Sequence, residues 1–129
     1  MGNGTELGRV RGLGSAREGA HHWWRQRVTA GSNLFLLVWF MVSLTRLDGF
    51  DYDTIHVWIG SAWVAVPLIL LVLSTCWHAR LGLQVVIEDY QSDEGRVFWL
   101  IVSEFFLAAI AVIAIFSILK AALVTTGAA

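Results

Sequence analysis

Charge is scarce in this sequence: Asp, Glu, Lys and Arg make up only 15% of 129 residues, against about 25% in an ordinary soluble domain. Cysteine and proline occur once each, as Cys76 and Pro67. A lone cysteine excludes a disulfide framework. It also excludes a thiolate zinc site and a self-contained iron–sulfur cluster. Covalent c-type haem attachment needs two cysteines ahead of a histidine, so it is excluded too. Intrinsic disorder requires low hydrophobicity and high charge, and this composition has neither. The net charge is −1, and no nucleic-acid partner is expected.

What the chain has instead is apolar length. Hydrophobic residues make up 57%, and the mean hydropathy is +0.64. A helix needs about 20 apolar residues to cross a bilayer core. Val57 to Cys76 supplies 20 residues without a formal charge, and Phe98 to Leu119 supplies 22 whose one charge is Glu104. Val28 to Thr45 supplies 18 uncharged residues, short but sufficient for a span with little tilt. The expectation is an all-α integral membrane protein with three transmembrane helices, over 28–47, 57–88 and 97–120. They form one anchor, 28–124, between an N-terminal arm, 1–27, and a short tail, 125–129. No internal repeat, low-complexity tract or second domain is present. Three helices enclose little interior, so the chain reads as one subunit of a membrane complex rather than a solitary channel or transporter.

The basic residues orient those spans. The arm carries Arg9, Arg11, Arg17, Arg25 and Arg27, and the second loop with its flanks carries Arg80 and Arg96. The opposite side carries Arg46 and Lys120, so the count is seven against two. Basic residues stay on the cytoplasmic side, which places the N-terminus in the cytoplasm and the C-terminus in the periplasm. The arm has no apolar run of signal-peptide length. Its arginines and glycines suit a mitochondrial leader, but Glu6, Glu18 and the lack of a long serine-rich stretch favour a cytoplasmic arm. The bacterial inner membrane is therefore the expected address, with the mitochondrial inner membrane less favoured. Trp23 and Trp24 mark the headgroup level, where tryptophan concentrates.

His78 is the most informative position. The second helix stays apolar beyond Cys76 through Leu81, Leu83, Val85, Val86 and Ile87, so His78 lies about 13 Å along the helix from Ile87. An ionisable ring at that depth is costly and by default a functional candidate. A histidine hydrogen-bonded across helices to hold them together is the alternative. Gly82 follows at i+4, on the same face. It leaves room for a flat macrocycle to approach the backbone, or for close helix packing. Val85 and Asp89 continue that face. His21 and His22 are placed ahead of the first helix and His56 at the far end of the second, so a haem on His78 needs its second ligand from another chain. Asp89-Tyr90 closes the helix at the cytoplasmic interface. The phenol can hydrogen-bond a quinone carbonyl and the carboxylate can relay protons; an interfacial anchor with a flanking acid is the plainer reading. Arg80 can neutralise a buried carboxylate or snorkel outward. Pro67 predicts a kink. Glu104 fits interfacial hydrogen bonding, Cys76 plain packing, and Gly60, Ser61 and Ala62 close helix approach.

The run His78-Ala79-Arg80-Leu81-Gly82-Leu83-Gln84-Val85-Val86-Ile87-Glu88-Asp89-Tyr90 resembles the signature of the small hydrophobic membrane-anchor subunit of succinate dehydrogenase, respiratory complex II. That signature has a histidine, a glycine four residues on, and an Asp-Tyr pair ending twelve residues after the histidine. Arg27-Val28-Thr29-Ala30 and Val57-Trp58-Ile59-Gly60 also look like the family, and the arm Leu7–Ala16 is similar to alphaproteobacterial members of the D type. The resemblance covers residues 21–124. It implies that His78 is one axial ligand of a b-type haem shared with a cytochrome b partner subunit, with Gly82 packing against the haem. It implies that Tyr90 and Asp89 bind ubiquinone, and that Arg27 and His21 lie on the haem-propionate side. Flavoprotein and iron–sulfur subunits dock on the cytoplasmic face, and electrons pass from succinate through them to the quinone. The chain is then a non-catalytic subunit of an enzyme complex. Competing readings are a fumarate-reductase-type or menaquinone anchor, a haem-free scaffold, and a small transporter subunit. The last predicts broken helices in paired positions, and only Pro67 points that way.

Overall fold

The structure, a computed structural model, describes residues 19–127. All of its regular elements there are helices: α1 (Gly19–Leu44), α2 (Tyr52–Gly60), α3 (Ala62–Tyr90) and α4 (Asp93–Gly127). Three of them are long and apolar enough to cross a membrane, over Ala20–Leu44, Ala62–Tyr90 and Gly95–Val124. Most of the arm, residues 1–18, and residues 128–129 of the tail lie outside the described residues.

The helix ends follow local chemistry. α1 begins well before its apolar stretch, so His21 and His22 sit within its opening turns rather than ahead of the helix. It ends by tightening: Arg46 N–H donates to the Ser43 carbonyl at 3.3 Å and Leu47 N–H to the Leu44 carbonyl at 3.2 Å. These i→i−3 bonds satisfy carbonyls that the helix leaves open at its end, just short of Asp48-Gly49. α2 is capped by Asp51, whose carboxylate accepts from the Thr54 N–H at 3.1 Å and the Thr54 hydroxyl at 2.8 Å. Those two bonds hold the Asp51 carboxyl below its ordinary pKa, because both favour the charged form.

The sequence suggests one continuous helix from Val57, but the chain breaks at Ser61. Ser61 is extended, with φ −71° and ψ 128°. Its N–H closes α2 onto the Trp58 carbonyl at 3.3 Å, and its own carbonyl accepts from Val64 at 2.9 Å and Ala65 at 2.8 Å to start α3. Gly60-Ser61 combines a weak helix former with a residue that favours the N-cap position. Pro67 consequently lies in the second turn of α3 rather than mid-helix, where its missing N–H removes one early helical bond. Trp58 holds α2 against α1: its indole N–H donates to the Ser43 hydroxyl at 3.1 Å, and its ring lies 6.2 Å from that of Phe40.

The helices form a row rather than a closed bundle. α3 packs against both α1 and α4, while α1 and α4 do not pack on each other; α2 crosses to touch α4. Among the described residues only Ala65, Leu68 and Leu81 are buried, all on α3. At 29 residues, α3 is about 43 Å long and outreaches the roughly 30 Å hydrocarbon core. Two residues, Gln91 and Ser92, turn α3 into α4, so Asp89-Tyr90 lies at a tight antiparallel corner.

Candidate functional site

His78 stands near the middle of α3, on the side that meets α1. Its Nδ1 lies 3.0 Å from the Thr29 hydroxyl oxygen. That oxygen is also 2.9 Å from the Arg25 carbonyl and 3.0 Å from the Gln26 carbonyl. Thr29 has one hydroxyl proton, and the two carbonyls of its own helix are within its reach. The oxygen can then accept from His78 in the tautomer protonated at Nδ1, or the hydroxyl can donate to Nδ1 in the other. In the first tautomer Nε2 carries the lone pair that can bind a metal. The bond does join two helices, as the packing alternative requires, but it occupies only one of the two ring nitrogens. One turn deeper in the membrane on each helix, Asn33 Oδ1 and Ser74 Oγ are buried without a hydrogen-bond partner among the described residues.

Gly82, one turn beyond His78, has nothing within 4 Å of the position a Cβ would take. No helix of this chain uses its bareness for close approach. On the other flank of His78, α1 and α3 enclose a groove of about 770 Å³. It is lined by His21, His22 and Arg25 from α1 and by Trp77, Arg80 and Leu81 from α3, among others. Neither His78 nor Gly82 lines it. Glu88 lines the groove together with Arg25 and Arg80, so it carries charge of both signs.

The remaining candidates separate. Tyr90 ends α3 with 82% of its surface exposed, outside the groove. Asp89 is exposed beside it. His21 lines the groove, whereas Arg27 stacks its guanidinium 4.3 Å over the Trp23 ring and does not. Arg25, His22 and Gln26 line it in addition. Sequence reasoning missed these three, and Thr29, because only the register of α1 against α3 brings the three into the groove and Thr29 to His78. Arg80 pairs with Glu104 of α4 at 2.8 Å and lies 5.5 Å over the Trp77 ring. The pair turns two costly membrane charges into a tie between neighbouring helices. Among the described residues no three His, Cys, Asp or Glu side chains gather to hold a metal ion; His78 offers a single ligand.

The comparisons with known proteins fit this arrangement. The family described as "Succinate dehydrogenase/Fumarate reductase transmembrane subunit" matches residues 1–120. This chain belongs to that family. Among curated relatives, the succinate dehydrogenase hydrophobic membrane anchor subunit of Rickettsia bellii is 34% identical over 88 residues, 68% of this chain and 70% of its own. Its counterpart in Rickettsia conorii is 35% identical, over 68% of this chain and 71% of its own. That of Paracoccus denitrificans is 29% identical over 84% of each. No solved structure gives a significant match. For a family of membrane subunits, a row of helices with exposed apolar flanks is a physically sensible form. Lipid and neighbouring subunits cover what the chain does not bury.

Proposed function

We propose that this chain is the hydrophobic membrane anchor of a succinate dehydrogenase in a bacterial inner membrane, and that it contributes one axial ligand to a shared b-type haem. The observation that carries the haem assignment is the state of His78: Nδ1 is bound to Thr29 at 3.0 Å, and Nε2 is left to an outside partner at membrane depth. The open flank at Gly82 gives a planar group access to the backbone one turn away. Arg25 and Arg80 in the adjoining groove offer charge of the sign that propionates need, Arg80 sharing its own with Glu104; His21 lines the same groove, with Arg27 further out. A haem bound there supplies a one-electron redox centre, its second ligand coming from a cytochrome b partner subunit. His78 would hold the iron through Nε2, with Thr29 beside Nδ1.

At the α3–α4 corner Tyr90 donates its phenolic hydrogen to a ubiquinone carbonyl, and Asp89 supports that site. The phenol O–H is a hydrogen-bond donor of the kind a carbonyl oxygen accepts from. Flavoprotein and iron–sulfur subunits dock on the same side. The chain itself is a non-catalytic subunit. The similarity to succinate dehydrogenase anchors of Rickettsia and Paracoccus favours the succinate-oxidising direction over the fumarate-reducing one. Replacing His78→Ala in the assembled complex tests the haem assignment. The b-haem band of the reduced-minus-oxidised spectrum is expected to disappear or distort while the subunit remains in the membrane. An unchanged spectrum refutes the ligation.

A further inference from the structure

We infer that Thr29 is a positioning residue for the haem ligand, its hydroxyl oxygen accepting the Nδ1 proton of His78 and so fixing both the tautomer and the ring orientation. The inference rests on the reading of His78 as an axial ligand, and it extends that reading to a residue on another helix. Three distances carry it: Thr29 Oγ1 to His78 Nδ1, 3.0 Å, and Thr29 Oγ1 to the carbonyls of Arg25, 2.9 Å, and Gln26, 3.0 Å. A neutral imidazole carries its proton on one ring nitrogen or the other, and a proton on Nε2 blocks coordination there. In water the solvent supplies the acceptor that holds the proton on Nδ1. Inside a bilayer a side chain or backbone group must supply it, and metal-binding histidines commonly find theirs in such an outer partner. The first turns of α1 point the Thr29 proton back at their own carbonyls, so the hydroxyl oxygen faces His78 as an acceptor. A hydroxyl accepts less strongly than a carboxylate. It orients the ring without driving the imidazole far towards its anionic form.

Two consequences follow for the ligated state. A hydrogen bond from Nδ1 raises the basicity of the ligand. A more basic ligand stabilises the more positive iron, so losing the bond moves the haem reduction potential upward. Losing it also frees the ring to rotate, which weakens the hold on the metal. Removing an outer partner of this kind typically costs about 10–100-fold in affinity.

The test uses the complete complex in isolated membranes, with Thr29→Val, which keeps the shape without the hydroxyl, and Thr29→Ser, which restores it. The readouts are the haem reduction potential from a redox titration and the rate at which haem passes to an excess of soluble haem-binding protein. Thr29→Val is expected to raise the potential and speed haem loss about tenfold or more, and Thr29→Ser to stay at wild-type values. A wild-type potential and loss rate in Thr29→Val overturn the inference, as does a Thr29→Ser that behaves like Thr29→Val. If the valine variant fails to assemble, Thr29→Ala takes its place, since alanine is the strongest helix former and cannot clash. His78→Ala, run beside them, keeps the two readings apart. If it retains the full b-haem spectrum, the ligand assignment fails. If it loses the spectrum while the Thr29 variants stay at wild type, only the positioning role fails.

Discussion

Two polar residues on α3 meet different surroundings although they lie twelve positions apart on one helix. His78 is held from the side by α1 through Thr29, whereas Tyr90 ends the helix with 82% of its surface exposed. At about 1.5 Å per residue they are about 18 Å apart along the axis, and at about 100° per residue they point about 120° apart. A residue so exposed at the corner of two helices has room for a ligand or a neighbouring subunit to cover it. Tyr90→Phe removes only the hydroxyl. Succinate–quinone activity is expected to fall, while succinate oxidation with an artificial acceptor that draws from the soluble subunits is maintained. If both activities remain normal, Tyr90 is an interfacial anchor and the quinone role is lost. His78, Gly82, Asp89 and Tyr90 were all legible in the sequence because they share one helix, where spacing alone fixes their relation. Thr29 and Arg25 were not, because their importance lies in the register between α1 and α3, and no single-helix periodicity contains it.

Among the elements, α3 carries the arrangement: it alone of the long helices packs against both others. The three long helices were foreseeable from apolar length, which is a strong signal in membranes. The break at Ser61 was not, because Val57–Ile59 and Ala62–Val66 are apolar on either side of it and the interruption depends on two residues, Gly60 and Ser61. Arg80 and Glu104 were visible as unexpected charges, but their pairing needs the α3–α4 hairpin. That pair, 2.8 Å apart, predicts a non-additive mutant series. Arg80→Gln or Glu104→Gln alone leaves one charge uncompensated in the apolar layer, at a cost of up to about 3 kcal/mol. The double variant leaves none. Thermal inactivation of the complex in detergent is expected to be faster in each single variant than in the double. Additive losses would mean that the two charges do not stabilise one another.

Viewed whole, the molecule puts the N-terminal end of α1, the groove and the α3–α4 corner at one end of its row of helices. The 45–61 connection with α2 and the far end of α4 lie at the other. The antiparallel bond between Thr29 and His78 fixes which ends of α1 and α3 lie together, and the two-residue link Gln91-Ser92 does the same for α3 and α4. Arg80, paired within α3 and α4, drops out of the orientation count because it no longer flanks a span. Six basic residues remain on the N-terminal side, Arg9, Arg11, Arg17, Arg25, Arg27 and Arg96, against Arg46 and Lys120 on the other. By the positive-inside rule the excess is the mark of a cytoplasmic N-terminal side, the orientation that we propose. That orientation matters for the proposed chemistry, because it would set Asp89-Tyr90 on the face where the proposed soluble subunits dock. A reporter enzyme that works only in the periplasm is expected to be active when joined after residue 129 and silent when joined ahead of residue 1. The reverse pattern would put Tyr90 on the periplasmic face, away from any cytoplasmic electron donor, and the quinone assignment would fall together with the orientation.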